Sequence, residues 1–266
     1  TRPDAAAALQ TAQDPARFES PLAALAACDP DRPVLLLARS VLAETARSFR
    51  AGFPGEVTYA VKANPDPAVL ETLAEAGLAA FDVASPAEID LLRGIVPGAA
   101  LHYNNPVRSR REIAHAVGQG VRSFSLDSRG ELDRVSDLVP RGAELSVRFK
   151  LALPGAAYDF GSKFGADPET AAALLAEVAR RGYRPALTFH PGTQCAPVAV
   201  WRGYVEAAAG IARAAGVSPE RLNVGGGFPA YREGAARPDL AAIFETVGEA
   251  AHAVFGSDAP RLLCEP

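Results

Sequence analysis

Lys62 closes the apolar run Val57-Thr58-Tyr59-Ala60-Val61-Lys62, and the chain breaks directly after it at Ala63-Asn64-Pro65. An amine at the end of a buried strand is partly withdrawn from water, which suits it to imine formation with a carbonyl compound. His190 ends another such run, Thr188-Phe189-His190, followed by Pro191-Gly192-Thr193-Gln194. A third run ends in Asn223-Val224-Gly225-Gly226-Gly227, a turn able to set backbone N–H groups against an anion. Glu265 follows Leu262-Leu263-Cys264 and places a carboxylate at a fourth strand end. Singly these read as a solvated lysine, a packed histidine, an ordinary turn and a surface acid. Together they share one position, the C-terminal end of an apolar run.

The elements that would hold them alternate along the chain. Strand candidates fall at residues 34–38, 57–62, 80–83, 101–104, 123–126, 145–149, 186–190, 222–224 and 262–264. Helical stretches fall at 67–76, 86–93, 109–117, 128–138, 168–181, 198–215 and 240–254, and a further helix follows the first strand candidate with Ser40 as its N-cap. Pro67, Pro86 and Pro168 sit at helix starts, where a missing N–H costs nothing. Setting aside the first strand and its helix leaves eight strands with a helical stretch in each of the seven gaps, the pattern of a closed parallel barrel of roughly 250 residues. Enzymes on that fold place their chemistry at the C-terminal ends of the strands and often bind phosphate after the seventh and eighth. Residues 1–33, rich in Ala, Pro and Asp, read as a leader with one short helix around Leu22, Leu25 and Ala26, and residues 34–266 as the barrel.

Bulk properties agree with a globular enzyme. The chain has 266 residues, 48% hydrophobic and 22% charged, enough apolar content for a large core. A net charge of −4 without a basic cluster argues against nucleic acid as a partner. Cys28, Cys195 and Cys264 form no CxxC pair, so neither a disulfide framework nor a zinc site is expected, and a reducing, cytoplasmic setting fits. No apolar stretch approaches the roughly 18 residues of a spanning helix. The sequence lacks methionine, so Thr1 is read as a trimmed or partial start.

A rim lysine, a histidine, a glycine turn and a carboxylate together match the needs of pyridoxal 5'-phosphate: an amine for its aldehyde, a nest for its phosphate, a stacking face and an acid beside the ring nitrogen. The motifs carry this further. Tyr59-Ala-Val-Lys-Ala-Asn64, Phe81-Asp-Val-Ala-Ser85, Asn105-Pro106, Ser162-Lys-Phe-Gly165, Phe189-His190 with Gly192, Gly225-Gly-Gly-Phe-Pro229 and Glu265-Pro266 occur in this order. Over residues 34–266 the sequence resembles the ornithine/diaminopimelate/arginine decarboxylases, which are fold type III, alanine-racemase-like pyridoxal enzymes built on a TIM (β/α)8 barrel. Its motif variants look closest to the ornithine-type branch.

The resemblance implies Lys62 as the Schiff-base lysine, His190 stacked on the cofactor ring, and Glu265 opposite the pyridine nitrogen. It places Gly225, Gly226 and Gly227 against the phosphate, with Thr193 where the family commonly has a serine phosphate ligand. Asp82 and Arg148 fall near the Schiff base and behind the ring. The implied reaction is α-decarboxylation of a small L-amino acid, ornithine or lysine, to a diamine in a cytoplasmic homodimer of polyamine biosynthesis. Pro191 departs from the family, replacing a small apolar residue under the ring. The family also continues beyond Glu-Pro with Gly-Arg and a β-domain carrying a substrate-selecting acid and a cross-subunit cysteine. A diaminopimelate decarboxylase, a racemase of the same fold and a non-catalytic regulatory barrel are the alternatives. Asp159-Phe160-Gly161 lacks the partners of a kinase magnesium motif, and Cys195 lacks an elbow and an orienting acid. His102, His115 and His252 show no ligand spacing and read as surface or helix-packing residues.

Overall fold

The computed structural model describes residues 17–31, 33–153, 155, 164–231 and 237–266. Asp159-Phe160-Gly161, and the Ser162-Lys163 half of one motif, lie outside them. The chain divides into two compact units, Thr1–Ser40 and Val41–Pro266. In the first, helix α1 (Pro21–Cys28) starts at Ser20, whose hydroxyl accepts the Ala23 N–H, and stops at Asp29 in a left-handed conformation.

Residues 34–38, expected as a strand, pair with no sheet. Leu35, Leu36 and Leu37 are exposed there, so an apolar β-rich run has not been enough without a free edge to join. Helix α2 (Arg39–Gly52) begins one residue before Ser40, which therefore lies in the first turn and does not cap it.

The second unit is a parallel barrel. Its strands are β1 (Glu56–Val57), β2 (Tyr59–Ala60), β3 (Ala80–Val83), β4 (Ala100–Tyr103), β5 (Ser123–Leu126), β6 (Glu144–Arg148), β7 (Arg184–Thr188), β8 (Arg221–Asn223) and β9 (Arg261–Cys264). Pairing runs β1-β9-β8-β7-β6-β5-β4-β3-β2, every pair parallel. Segments β1 and β2 are one strand interrupted at Thr58: its first half bonds β9, its second half β3. The ring of eight strands is thereby joined.

The connecting helices are α3 (Pro67–Glu75), α4 (Pro86–Ile95), α5 (Arg110–Gly118), α6 (Arg129–Ser136), α7 (Pro168–Arg180), α8 (Val198–Ala215) and α9 (Leu240–Phe255). Their starts are dictated locally. Asp66, Ser85, Ser109, Ser128, Asp167 and Asp239 each accept a first-turn N–H, and Ser109 with Glu112 completes a capping box. Among the described residues no helix is long and apolar enough to cross a membrane.

Strand alternation then sorts the side chains. Phe81, Leu101, Tyr103, Phe124, Leu126, Leu145, Val147, Leu187 and Phe189 are buried in the apolar cluster shared with the helices. Buried residues of the other parity are largely polar: Asp82, His102, Ser123, Ser125, Glu144, Ser146, Thr188 and Asn223. At the N-terminal end Glu144 accepts the Ser123 hydroxyl at 2.8 Å and pairs with Arg221 Nε at 3.3 Å. Arg221 Nη1 lies 3.2 Å from both ring nitrogens of His102 and 3.7 Å from Glu56. His102 is thus part of a polar plug inside the barrel, contrary to its surface or helix-packing reading, because the inward parity of β4 outweighs anything visible in its neighbours. Burial, then Arg221, lower its pKa to about 3, so the ring is neutral.

Removing one member of a buried pair strands the other charge, at a cost of about 3–5 kcal/mol. Arg221→Met should lower the urea unfolding free energy by that order, and adding Glu144→Gln should recover part of it. An Arg221→Met protein as stable as wild type would show that the plug is mechanically idle.

Candidate active site

Lys62 leaves β2 in a single 3-10 turn (Val61–Ala63) and not at the end of the strand itself. That turn lifts its side chain out of the wall, 64% exposed, with Nζ 3.9 Å from Asp82 Oδ2. Expected withdrawal of the amine from water is therefore not seen; the acid opposite it is the buried partner. Asp82 is 2% exposed. Its pKa is raised well above the usual carboxylate range, first by burial and then by the charge of Glu265, with Lys62 acting against both.

Following the neighbouring strand β9 at the same mouth, the Glu265 N–H donates to the Gly225 carbonyl at 2.9 Å. The glycine turn is sterically determined. A Cβ on Gly225 would stand 2.4 Å from the Phe189 carbonyl oxygen, one on Gly226 2.3 Å from that of Glu265, and one on Gly227 2.0 Å from that of Gly192. Gly225 and Gly227 also have φ of +71° and +86°, which side chains resist. The loop carrying Thr193 is tied to the turn by the Cys195 N–H, which donates to Gly227 O at 2.8 Å.

His190 stands beside that turn. Its Nδ1 accepts the Gly192 N–H at 3.0 Å, so the proton of the neutral ring resides on Nε2. Pro191 leaves this contact in place. Burial, then Arg148 and Lys62, push the ring down to about 4. Arg148, at the end of β6, lies over the Phe164 ring at 5.4 Å. Burial pulls its pKa down while Glu265, Asp127 and Asp82 hold it up. Cys195 is fully buried, its thiol pushed up to about 11 by burial, and its carbonyl accepts the Trp201 indole N–H. It is a packing residue. No group of three metal-ligating side chains occurs among the described residues.

Every residue singled out at the strand ends thus lies at the C-terminal mouth of one barrel. Two others had not been foreseen. Asn104, following β4, and Asn223, ending β8, both donate to Glu265 Oε1, at 2.6 and 2.5 Å. Asn104 was read only as a strand end and Asn223 only as the residue before the turn. Inward parity next to Glu265 was the available signal.

Comparison with known sequences is decisive for the family. The sequence pattern of the pyridoxal-dependent decarboxylase, pyridoxal binding domain, matches residues 39–266. The chain belongs to this family. Ornithine decarboxylase of Panagrellus redivivus is 39% identical over 176 residues, 64% of this chain and 40% of that protein. Lysine/ornithine decarboxylase of Selenomonas ruminantium is 33% identical over 223 residues, 82% of this chain and 56% of the other. A solved structure of a mutant SrLDC in complex with PLP superposes with a TM-score of 0.81 at 30% identity, covering 94% of this chain and 66% of that one. The chain spans about half the length of the curated relatives it matches.

The decarboxylase-family site fits pyridoxal phosphate on its own geometry: an exposed amine beside a buried acid, a neutral imidazole, and a turn that backbone packing restricts to glycine. A neutral His190 also has a thermodynamic signature. Its imidazole titrates near 6.5 when unfolded and near 4 when folded, so the unfolded chain takes up the proton first as pH falls. Its contribution is whole above about pH 6.5 and is lost progressively toward pH 4. Unfolding free energy should therefore fall more steeply between those values in wild type than in His190→Gln; identical slopes would place a charged ring in the fold.

Proposed function

We propose that this domain is the cofactor-holding part of a pyridoxal-phosphate-dependent α-decarboxylase that converts a basic L-amino acid, ornithine first and lysine second, to a diamine. The observation that carries the reading is the convergence of Lys62, Asp82, Arg148, His190, the Gly225–Gly227 turn and Glu265 on one barrel mouth, in a chain of the pyridoxal-dependent decarboxylase family. The names of its relatives support the substrate class.

The roles follow from chemistry. Lys62 supplies the amine that condenses with the cofactor aldehyde, and its exposure leaves it open to exchange with a substrate amine. Asp82, 3.9 Å away, provides a neighbouring site for the proton such exchange must move. His190 lays a neutral face against the ring; a cationic one would oppose a protonated pyridine. Backbone N–H groups of Gly226 and Gly227, with the Thr193 hydroxyl, take the phosphate, the Gly225 N–H being held by Asn223 Oδ1. Glu265 pairs with the pyridine nitrogen, and Arg148 holds compensating positive charge near the two acids. Held by these residues, pyridoxal phosphate would supply an electron sink for cleavage of the bond between Cα and the carboxylate.

At a homodimer interface in the cytoplasm, residues outside this domain would orient the substrate and exclude water, effects worth several kcal/mol of barrier. Product analysis of the full-length protein on ornithine, lysine, arginine and meso-diaminopimelate tests the reading. Putrescine from ornithine, with cadaverine from lysine more slowly, is expected. Lysine formed from diaminopimelate alone would overturn the branch, and interconversion of enantiomers without loss of carbon dioxide would make the protein a racemase.

A further inference from the structure

Among the described residues, the hydrogen bonds to the Glu265 side chain come from amides alone. Asn104 Nδ2 and Asn223 Nδ2 converge on Oε1, while Oε2 accepts from no described residue. A carboxylate only accepts, so the amide nitrogens and not the amide oxygens must face it. Asn223 is fixed in that sense independently, since its Oδ1 accepts the Gly225 N–H at 2.8 Å.

Asn104 is anchored as firmly. Its N–H donates to Asp82 Oδ1 at 3.3 Å and its carbonyl accepts the Ser125 hydroxyl at 2.6 Å. The strand ends around it are clamped by Arg108, 3% exposed, which donates to the Tyr103 carbonyl at 3.0 Å, to the Ser125 carbonyl, and to Glu131 at 3.1 Å. Arg108 thus braces the residue that holds Glu265.

A carboxyl group facing a pyridine nitrogen shares one proton with it. The proton resides either on the nitrogen, opposite a carboxylate, or on the carboxyl oxygen, opposite a neutral ring. Hydrogen bonds donated to a carboxylate favour its charged form. Two amide donors on Oε1 therefore shift that proton from Oε2 to the ring nitrogen, and an amide N–H does not itself ionise to confuse the outcome. We propose that Asn104 and Asn223 are positioning residues that fix the Glu265 carboxylate and keep the shared proton on the cofactor's pyridine nitrogen. This rests on the role given to Glu265 above.

The test uses the full-length holoenzyme loaded with pyridoxal phosphate labelled with 15N in the ring, whose NMR shift separates pyridinium from neutral pyridine. Wild type should show pyridinium, and Glu265→Ala should lose it. Asn104→Leu should move the shift toward neutral pyridine and lower kcat by about tenfold, the scale of one hydrogen bond to a charged group, with KM little changed. Asn104→Ala, which removes the donor without adding volume or charge, should do the same and stands in where the leucine variant fails to fold. In the Glu265→Ala background neither substitution should move the shift further. A ring already neutral in wild type, or unmoved in Glu265→Ala, defeats the assignment of Glu265. A shift that depends on Glu265 but not on Asn104, or an Asn104 effect of equal size in both backgrounds, defeats the positioning role alone.

Discussion

Thr58 carries the closure of the ring. Its amide and its hydroxyl both donate to the Cys264 carbonyl, at 2.9 and 3.1 Å, across 206 residues of sequence. Because that residue interrupts a strand, one half can bond the last strand and the other half the second, so the barrel has no open edge. Lys62 and Glu265 follow directly from the two sides of this joint. A sheet left open there would separate the amine from the carboxylate, and neither would share a mouth with the glycine turn.

Register does the rest. Parallel pairing sets Asp82 opposite Ala60 and Asn223 opposite Thr188 and Leu263, carrying one parity inward around the ring. Ionisable groups of that parity fall into two sets of contacts. At the N-terminal end the charges of Glu144 and Arg221 are paired and His102 is neutral. At the other end the pairing is incomplete: the charge of Glu265 adds to the cost of ionising the buried Asp82, and Lys62 acts against it. A stable plug at one end and an unbalanced cluster at the other is the distribution expected where only one mouth is used for chemistry.

The strand and helix order from residue 57 onward was legible because apolar runs, prolines at helix starts and Ser or Asp caps are local signals. Boundaries in the structure fall within a few residues of those expected. The shared placement of Lys62, His190 and Glu265 at one mouth was legible because each ends such a run. Residues 34–38 misled because β-rich composition says nothing about whether an edge exists to pair with. His102, Asn104 and Asn223 were missed for the opposite reason: their significance lies in which residues of distant strands face them, and that depends on closure and register, which no short window contains.

The central claim is that Lys62 is the amine at which this barrel holds its cofactor. Borohydride reduction of the full-length protein with pyridoxal phosphate bound, followed by peptide mapping, tests it most directly. The account predicts a phosphopyridoxyl group on Lys62 and none in a Lys62→Ala protein; modification at Lys150 or Lys163 instead, or no fixed label at all, would contradict it.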